Sequence, residues 1–238
     1  MPEDGAAREV RELLPLPEQP KRPERPERPE DSGEILRRNL RELIRLLGIE
    51  VPPKSETPGW RHIARNAIRK AFTSRSAGLS EDFFEPLISA AVCEPDPSHN
   101  RWFVEPAINA FGRRRVQAAL LTYLQTGTDR ERAGSVRAWY WTGYPLRQQH
   151  LRVGTSVAEM GFAADEARDV VTAWREASLR EFVANEDLDV RCCILPGLPL
   201  KPESYPPELR ALVDTAVAIA RSHPDEYIRE RVEVQVHH

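Results

Sequence analysis

From Asp31 onward the apolar residues recur at helical spacing, and nowhere do apolar and polar residues alternate long enough to build a sheet face. Leu36, Leu40, Leu43, Ile44 and Leu47 lie on one stripe, with Asp31 or Ser32 placed to cap its start and Gly48 to stop it. A loop holding Pro52, Pro53 and Pro58 follows. Trp60, Ile63, Ala64, Ala67, Ile68, Ala71 and Phe72 then mark a second amphipathic helix. Further helices are expected over residues 116–124, 129–141 and 164–183. The pattern predicts an all-α fold without strands.

Residues 1–31 are of another kind. They hold seven of the 21 prolines, and Arg-Pro-Glu repeats three times from Arg22 to Glu30. Polyproline II has three residues per turn, so prolines, acids and arginines would each line a separate edge. With little to bury, the segment is expected to be a disordered tail, either a solvated spacer or a P-x-x-P ligand for an aromatic groove. Three parts are thus expected: the tail at 1–31, capping helices at 32–78, and a helical domain at 79–238.

Charge narrows the function classes. The chain carries a formal charge of -3, and residues 1–31 account for it with nine acids and six bases. The remaining 28 acids and 28 bases cancel. A neutral body disfavours a dedicated nucleic-acid binder, which needs surplus positive charge against phosphates. Cys93, Cys192 and Cys193 show no disulfide or metal spacing and suit a reducing compartment. The acidic, apolar-poor start lacks a signal-peptide core, and the longest apolar runs are too short to cross a bilayer. A cytoplasmic protein without membrane contact is expected.

Internal echoes organise the second part of the chain. Residues 83–90, Phe-Phe-Glu-Pro-Leu-Ile-Ser-Ala, return at 103–110 as Phe-Val-Glu-Pro-Ala-Ile-Asn-Ala. Asp187-Leu188-Asp189-Val190-Arg191 returns 38 residues later as Asp225-Glu226-Tyr227-Ile228-Arg229. A looser copy is seen in Asp129, Val136 and Arg137. Paired short helices with self-similarity near forty residues point to stacked helix pairs, each unable to bury its apolar face alone. On the D-x-x-V/I-R starts at Asp187 and Asp225 the sequence resembles the HEAT-repeat family over residues 80–238. Pro86 and Pro106, taken as interior helix positions, suit the kinked helices of that family. The resemblance implies an α-solenoid that binds a protein partner on its concave face. The long linker at 143–161 and the prolines Pro196, Pro199, Pro202, Pro206 and Pro207 depart from a regular repeat.

No phosphate loop, dinucleotide fingerprint, hydrolase elbow or H-E-x-x-H motif occurs, so no cofactor or metal is expected. Glu85 and Glu105, equivalent in the first echo, could face one another as an acid and base. As acids near a helix start they would instead complement the macrodipole. His223, two residues before Asp225, reads as a helix-start residue. Arg61, Arg65 and Arg69 recur every four residues in a stretch with no acid from Trp60 to Ser80, a stripe able to meet an acidic partner or phosphate. Trp139, Trp141 and Tyr144, with Tyr140, cannot all enter one core, because i and i+2 occupy different helix faces. At least one should be exposed, and exposed Trp and Tyr dominate binding hot spots. The expected function is a non-catalytic protein-binding scaffold. The alternatives are a glycosylase-like nucleic-acid enzyme on the same fold, or a regulatory domain that recruits a partner through its tail.

Overall fold

The computed structural model describes residues 31–52, 59–74, 78–143 and 168–236. Among them are α1 (Ser32–Leu47), α2 (Trp60–Ser74), α3 (Phe84–Cys93), α4 (Pro97–Phe111), α5 (Arg113–Thr126), α6 (Asp129–Thr142), α7 (Arg168–Ala184), α8 (Leu188–Ile194), α9 (Arg210–Arg221) and α10 (Glu226–Val236). The rest is short 3-10 turns and connections, with no strand among the described residues. The expected all-α class holds. The proline-rich segment at 1–30 and the linker at 144–167 lie outside the described residues.

The chain forms two compact units, divided between Trp174 and Arg175. In the first, α1 packs on α2 and α3, α3 on α4 and α6, and α6 on α4 and α5. The stripe read from the sequence faces inward: Leu36, Leu40 and Leu43 are fully buried, as are Ile68, Leu87, Phe103, Leu120 and Leu124. Gly48 ends α1 at φ 64°, and the N–H of Ile49 returns to the carbonyl of Ile44 at 3.3 Å. Only a residue without Cβ takes that left-handed cap freely. At Gly134, inside α6, a Cβ would stand 1.9 Å from the carbonyl oxygen of Val92 in α3. The two helices meet there backbone to backbone.

One local device recurs at four helix-to-helix joints. A cap residue accepts a backbone N–H in the first turn of the second helix, and the residue four positions later donates back to a carbonyl at or just beyond the end of the first. At α3–α4, Asp96 caps Ser98 at 2.9 Å and the Asn100 amide donates to the carbonyls of Ala91 and Glu94. At α5–α6, Thr128 forms a capping box with Glu131 and Arg132 donates to Leu124 at 3.2 Å. At α7–α8, Asp187 caps Val190 at 3.0 Å and Arg191 donates to Phe182 at 3.3 Å. At α9–α10, Asp225 caps Ile228 at 3.3 Å and Arg229 donates to His223 and Pro224 at 2.6 and 2.7 Å. A helix end leaves its last carbonyls unpaired, and a long donor from the next helix satisfies them while fixing the turn. The D-x-x-V/I-R pattern is therefore a cap, a buried anchor and a clamp: Val190 and Ile228 are fully buried.

The second unit contains the remainder of α7 with α8, α9 and α10. Leu179, Phe182, Val190, Leu195, Val213, Ala216, Ile228 and Val232 form its core. The prolines between α8 and α9 do not loosen it. Pro196, Pro202 and Pro207 open 3-10 turns, where a missing N–H costs nothing, and Leu198, Leu200 and Tyr205 between them are buried. Gln235 of α10 reaches the carbonyl of Leu195 at 3.0 Å.

Three sequence expectations change. Pro86 is the third residue of α3, in the first turn where prolines are tolerated, so only Pro106 is an interior proline. The echo 83–90 and 103–110 starts a helix in one case and closes it in the other. It records a shared pattern of buried positions, not one structural unit. In α6 the matching residues are Thr128 and Arg132, not Asp129, Val136 and Arg137, because Thr128 is the cap.

Candidate functional site

Helix α4 contacts both α2 and α6, and its N-terminal half organises the most unusual surface of the first unit. Glu94, just before α4, is fully buried. Its Oε1 accepts from Arg65 Nη2 at 2.7 Å and from the Asp96 N–H at 3.1 Å, while Oε2 lies 2.6 Å from Arg65 Nε. Burial pushes the Glu94 carboxyl above the usual range, and Arg65 offsets that only in part. The Ser98 N–H holds Asp96 below its usual value. Arg65, its side chain 11% exposed, thus ties α2 to the α3–α4 joint.

Two aromatic–cation clusters flank the same half of α4. On the α2 side, Arg69 stands over Trp102 at 5.0 Å, and His99 meets Trp102 edge-on at 4.3 Å. His99 Nδ1 lies 3.2 Å from Asp96. On the α6 side, Arg101 stands over Trp141 at 5.3 Å and pairs with Glu105 at 2.7 Å. The Trp141 indole N–H donates to the Pro97 carbonyl at 2.8 Å, and Tyr140 packs edge-on against Trp141 at 5.1 Å. Tyr140 is 57% exposed. The basic stripe and the aromatic cluster, separate in sequence, both border α4.

The expected site residues fare differently. Arg61 and Arg69 are exposed, whereas Arg65 is committed to Glu94. Trp139 lies flat on Trp174, rings 3.9 Å apart and 3° from parallel, so one face of it is internal packing. Trp141 is half-buried and Tyr140 is the exposed aromatic; Tyr144 lies outside the described residues. Trp102 carries no periodic or motif signal of its own, and its role emerges only when α2 delivers Arg69 to its face. Glu85 and Glu105 have separate partners: Tyr123 donates to Glu85 at 3.4 Å, and Glu105 binds Arg101. Burial, with Glu85 adding to it, pushes the Tyr123 phenol up to about 12. Glu85 does sit in the first turn of α3, but Glu105 lies well inside α4.

Several exposed arginines have carboxylate partners: Arg45 with Glu42, Arg114 with Asp169, Arg115 with Glu81, Arg130 with Asp31, Arg221 with Glu233. Among the described residues, no carboxylate stands within ion-pair distance of the exposed Arg61, Arg69 or Lys70. No group of three metal-ligating side chains occurs among those residues, and no described helix is long and apolar enough to cross a membrane. No family model, curated protein or solved structure matches the chain.

Proposed function

We propose that this chain is a non-catalytic, HEAT-like helical scaffold that binds a protein partner through the surface formed by α2, α4 and α6. The observation that carries the reading is the concentration of half-exposed Trp102 and Trp141, exposed Tyr140 and uncompensated cations around one buried anchor, the Arg65–Glu94 pair. Large amphipathic rings held in place by hydrogen bonds and cations lose little entropy on binding, which makes such residues hot spots. The recurring cap and clamp supports the HEAT-like reading, since α4, α6, α8 and α10 each begin a second helix in the same way. A glycosylase-like enzyme would need an available carboxylate near this surface; Glu94 and Glu105 are both held by arginines, and Asp96 is engaged as the cap of α4 and with His99 at 3.2 Å. A reducing, cytoplasmic location agrees with three cysteines that form no disulfide. The tail at 1–31 serves the same reading as a spacer.

Photo-crosslinking tests the proposal. A photoreactive residue placed at Tyr140 in the full chain should yield one discrete protein adduct in cells that make it. The same residue at Glu208, exposed in the second unit, should not give that adduct. Equal adducts at both positions, or none at Tyr140, would reject the surface.

A further inference from the structure

We infer that the partner contacts this surface through an acidic protein segment, its carboxylates meeting Arg61 and Arg69 on α2. The inference rests on the binding reading above and adds the chemistry of what is bound. Helix α2 carries Arg61, Arg65, Arg69 and Lys70 and no acid. Arg65 is neutralised by Glu94 at 2.6 Å; Arg61 and Arg69 are exposed and, among the described residues, have no carboxylate within ion-pair distance. Arg61 lies beside Gly33 at the start of α1, and Arg69 is eight residues further on, so the two cations stand about 12 Å apart along the helix. A carboxylate every two turns of an opposing helix, or every third or fourth residue of an extended segment, matches that interval. Arg69 is already held over Trp102 at 5.0 Å. A guanidinium oriented beforehand loses less freedom when it forms a bidentate carboxylate pair.

A nucleic acid fits the same surface less well. The first unit, residues 30–174, carries twenty basic and eighteen acidic residues, too balanced to draw in a polyanion. Asp96, the cap of α4, and Glu105 within α4 flank Trp102 in sequence, with side chains 49% and 27% exposed. A phosphate backbone of unbroken charge would pass close to both, whereas spaced carboxylates can avoid them.

Fluorescence anisotropy with the full chain decides the matter. The probes are a labelled alanine-based peptide with glutamate at every fourth position, its glutamine counterpart, and a short duplex DNA, each at low and at physiological salt. The glutamate peptide should bind and the glutamine peptide should not, and affinity should fall as salt rises. Arg69→Glu should weaken binding by at least about tenfold, the size of a lost charge-assisted contact turned repulsive. Arg61→Glu, at the other exposed arginine of the stripe, should also weaken it. Arg114→Glu, at an arginine already paired with Asp169, should change it little. Equal binding of both peptides, indifference to Arg69→Glu and Arg61→Glu, or tighter binding of DNA would each overturn the inference. If the glutamate peptide fails while Tyr140 still cross-links to a partner, the acidic chemistry is wrong and the binding surface stands. Loss of the cross-link removes the surface itself.

Discussion

A methyl group at Gly134 would sit 1.9 Å from the carbonyl oxygen of Val92, and a Cβ fixed to one helix against a backbone carbonyl of the other has no rotamer with which to retreat. Gly134→Ala should therefore push α3 and α6 apart and cost about 3 kcal/mol or more, the upper range for overpacking; urea denaturation would measure it. Glu94 carries a different risk. Glu94→Ala strands the Arg65 guanidinium, 11% exposed, and should cost about 3–5 kcal/mol as a broken buried pair. Glu94→Gln keeps an acceptor for Arg65 and the Asp96 N–H, and should cost clearly less. Equal losses in thermal unfolding would mean that packing around residue 94, not its pairing, holds the joint. At this scale the sequence was readable where chemistry is local. The D-x-x-V/I-R starts at Asp187 and Asp225 were visible as a repeat, and in the structure Asp187 caps Val190, Val190 is buried and Arg191 donates back to Phe182. The same device at Asp96 and Asn100 went unseen because asparagine replaces arginine there, and at Thr128 and Arg132 because threonine replaces aspartate. A cap residue followed four positions later by any long donor is the signal that covers all four.

Among the elements, α10 depends on a neutral histidine. The Asp225 N–H donates to His223 Nδ1 at 3.1 Å, and the His223 carbonyl accepts from Arg229 at 2.6 Å. Burial, with Arg191 and Arg229 nearby, lowers the affinity of His223 for a proton, Asp225 opposing them in part. The folded-state pKa is thus below the unfolded value, so the unfolded chain takes up the proton first. Stability from this group is complete above the ordinary histidine pKa of about 6.5 and is lost as pH falls through the depressed value. Hydrogen exchange of α10 amides should accelerate between neutral pH and about pH 5, after correction for intrinsic rates. His223→Asn offers an acceptor that does not titrate and should flatten that dependence; an unchanged pH profile would assign it to another group. Helix ends were legible where a stop is written locally, as with Gly48. The repeat near residues 83 and 103 misled because a shared inward stripe of Phe, Leu and Ile arises wherever helices pack, whatever their phase.

In the molecule as a whole, the meeting of a basic helix and an aromatic helix on either side of α4 is a product of tertiary packing. Nothing within α2 indicates that Arg69 will reach Trp102, or that Arg65 will be consumed by Glu94. Helical spacing gave the all-α class, but the division at Trp174 and Arg175 follows from contacts among distant elements. Scaffold and surface should separate on mutation. Trp139 stacks on Trp174, which is 7% exposed, and Trp139→Ala should cost about 3–5 kcal/mol. Tyr140 packs edge-on against Trp141 and Arg69 stands over Trp102, contacts together worth less than about 2 kcal/mol. The most direct measurement is equilibrium denaturation of the Arg69→Ala/Tyr140→Ala double variant beside the wild type and Trp139→Ala. A surface built for binding predicts a double variant within about 2 kcal/mol of wild type, clearly more stable than Trp139→Ala and unable to form the cross-linked adduct from Trp141. A double variant as unstable as Trp139→Ala would contradict it, and would make these side chains part of the core.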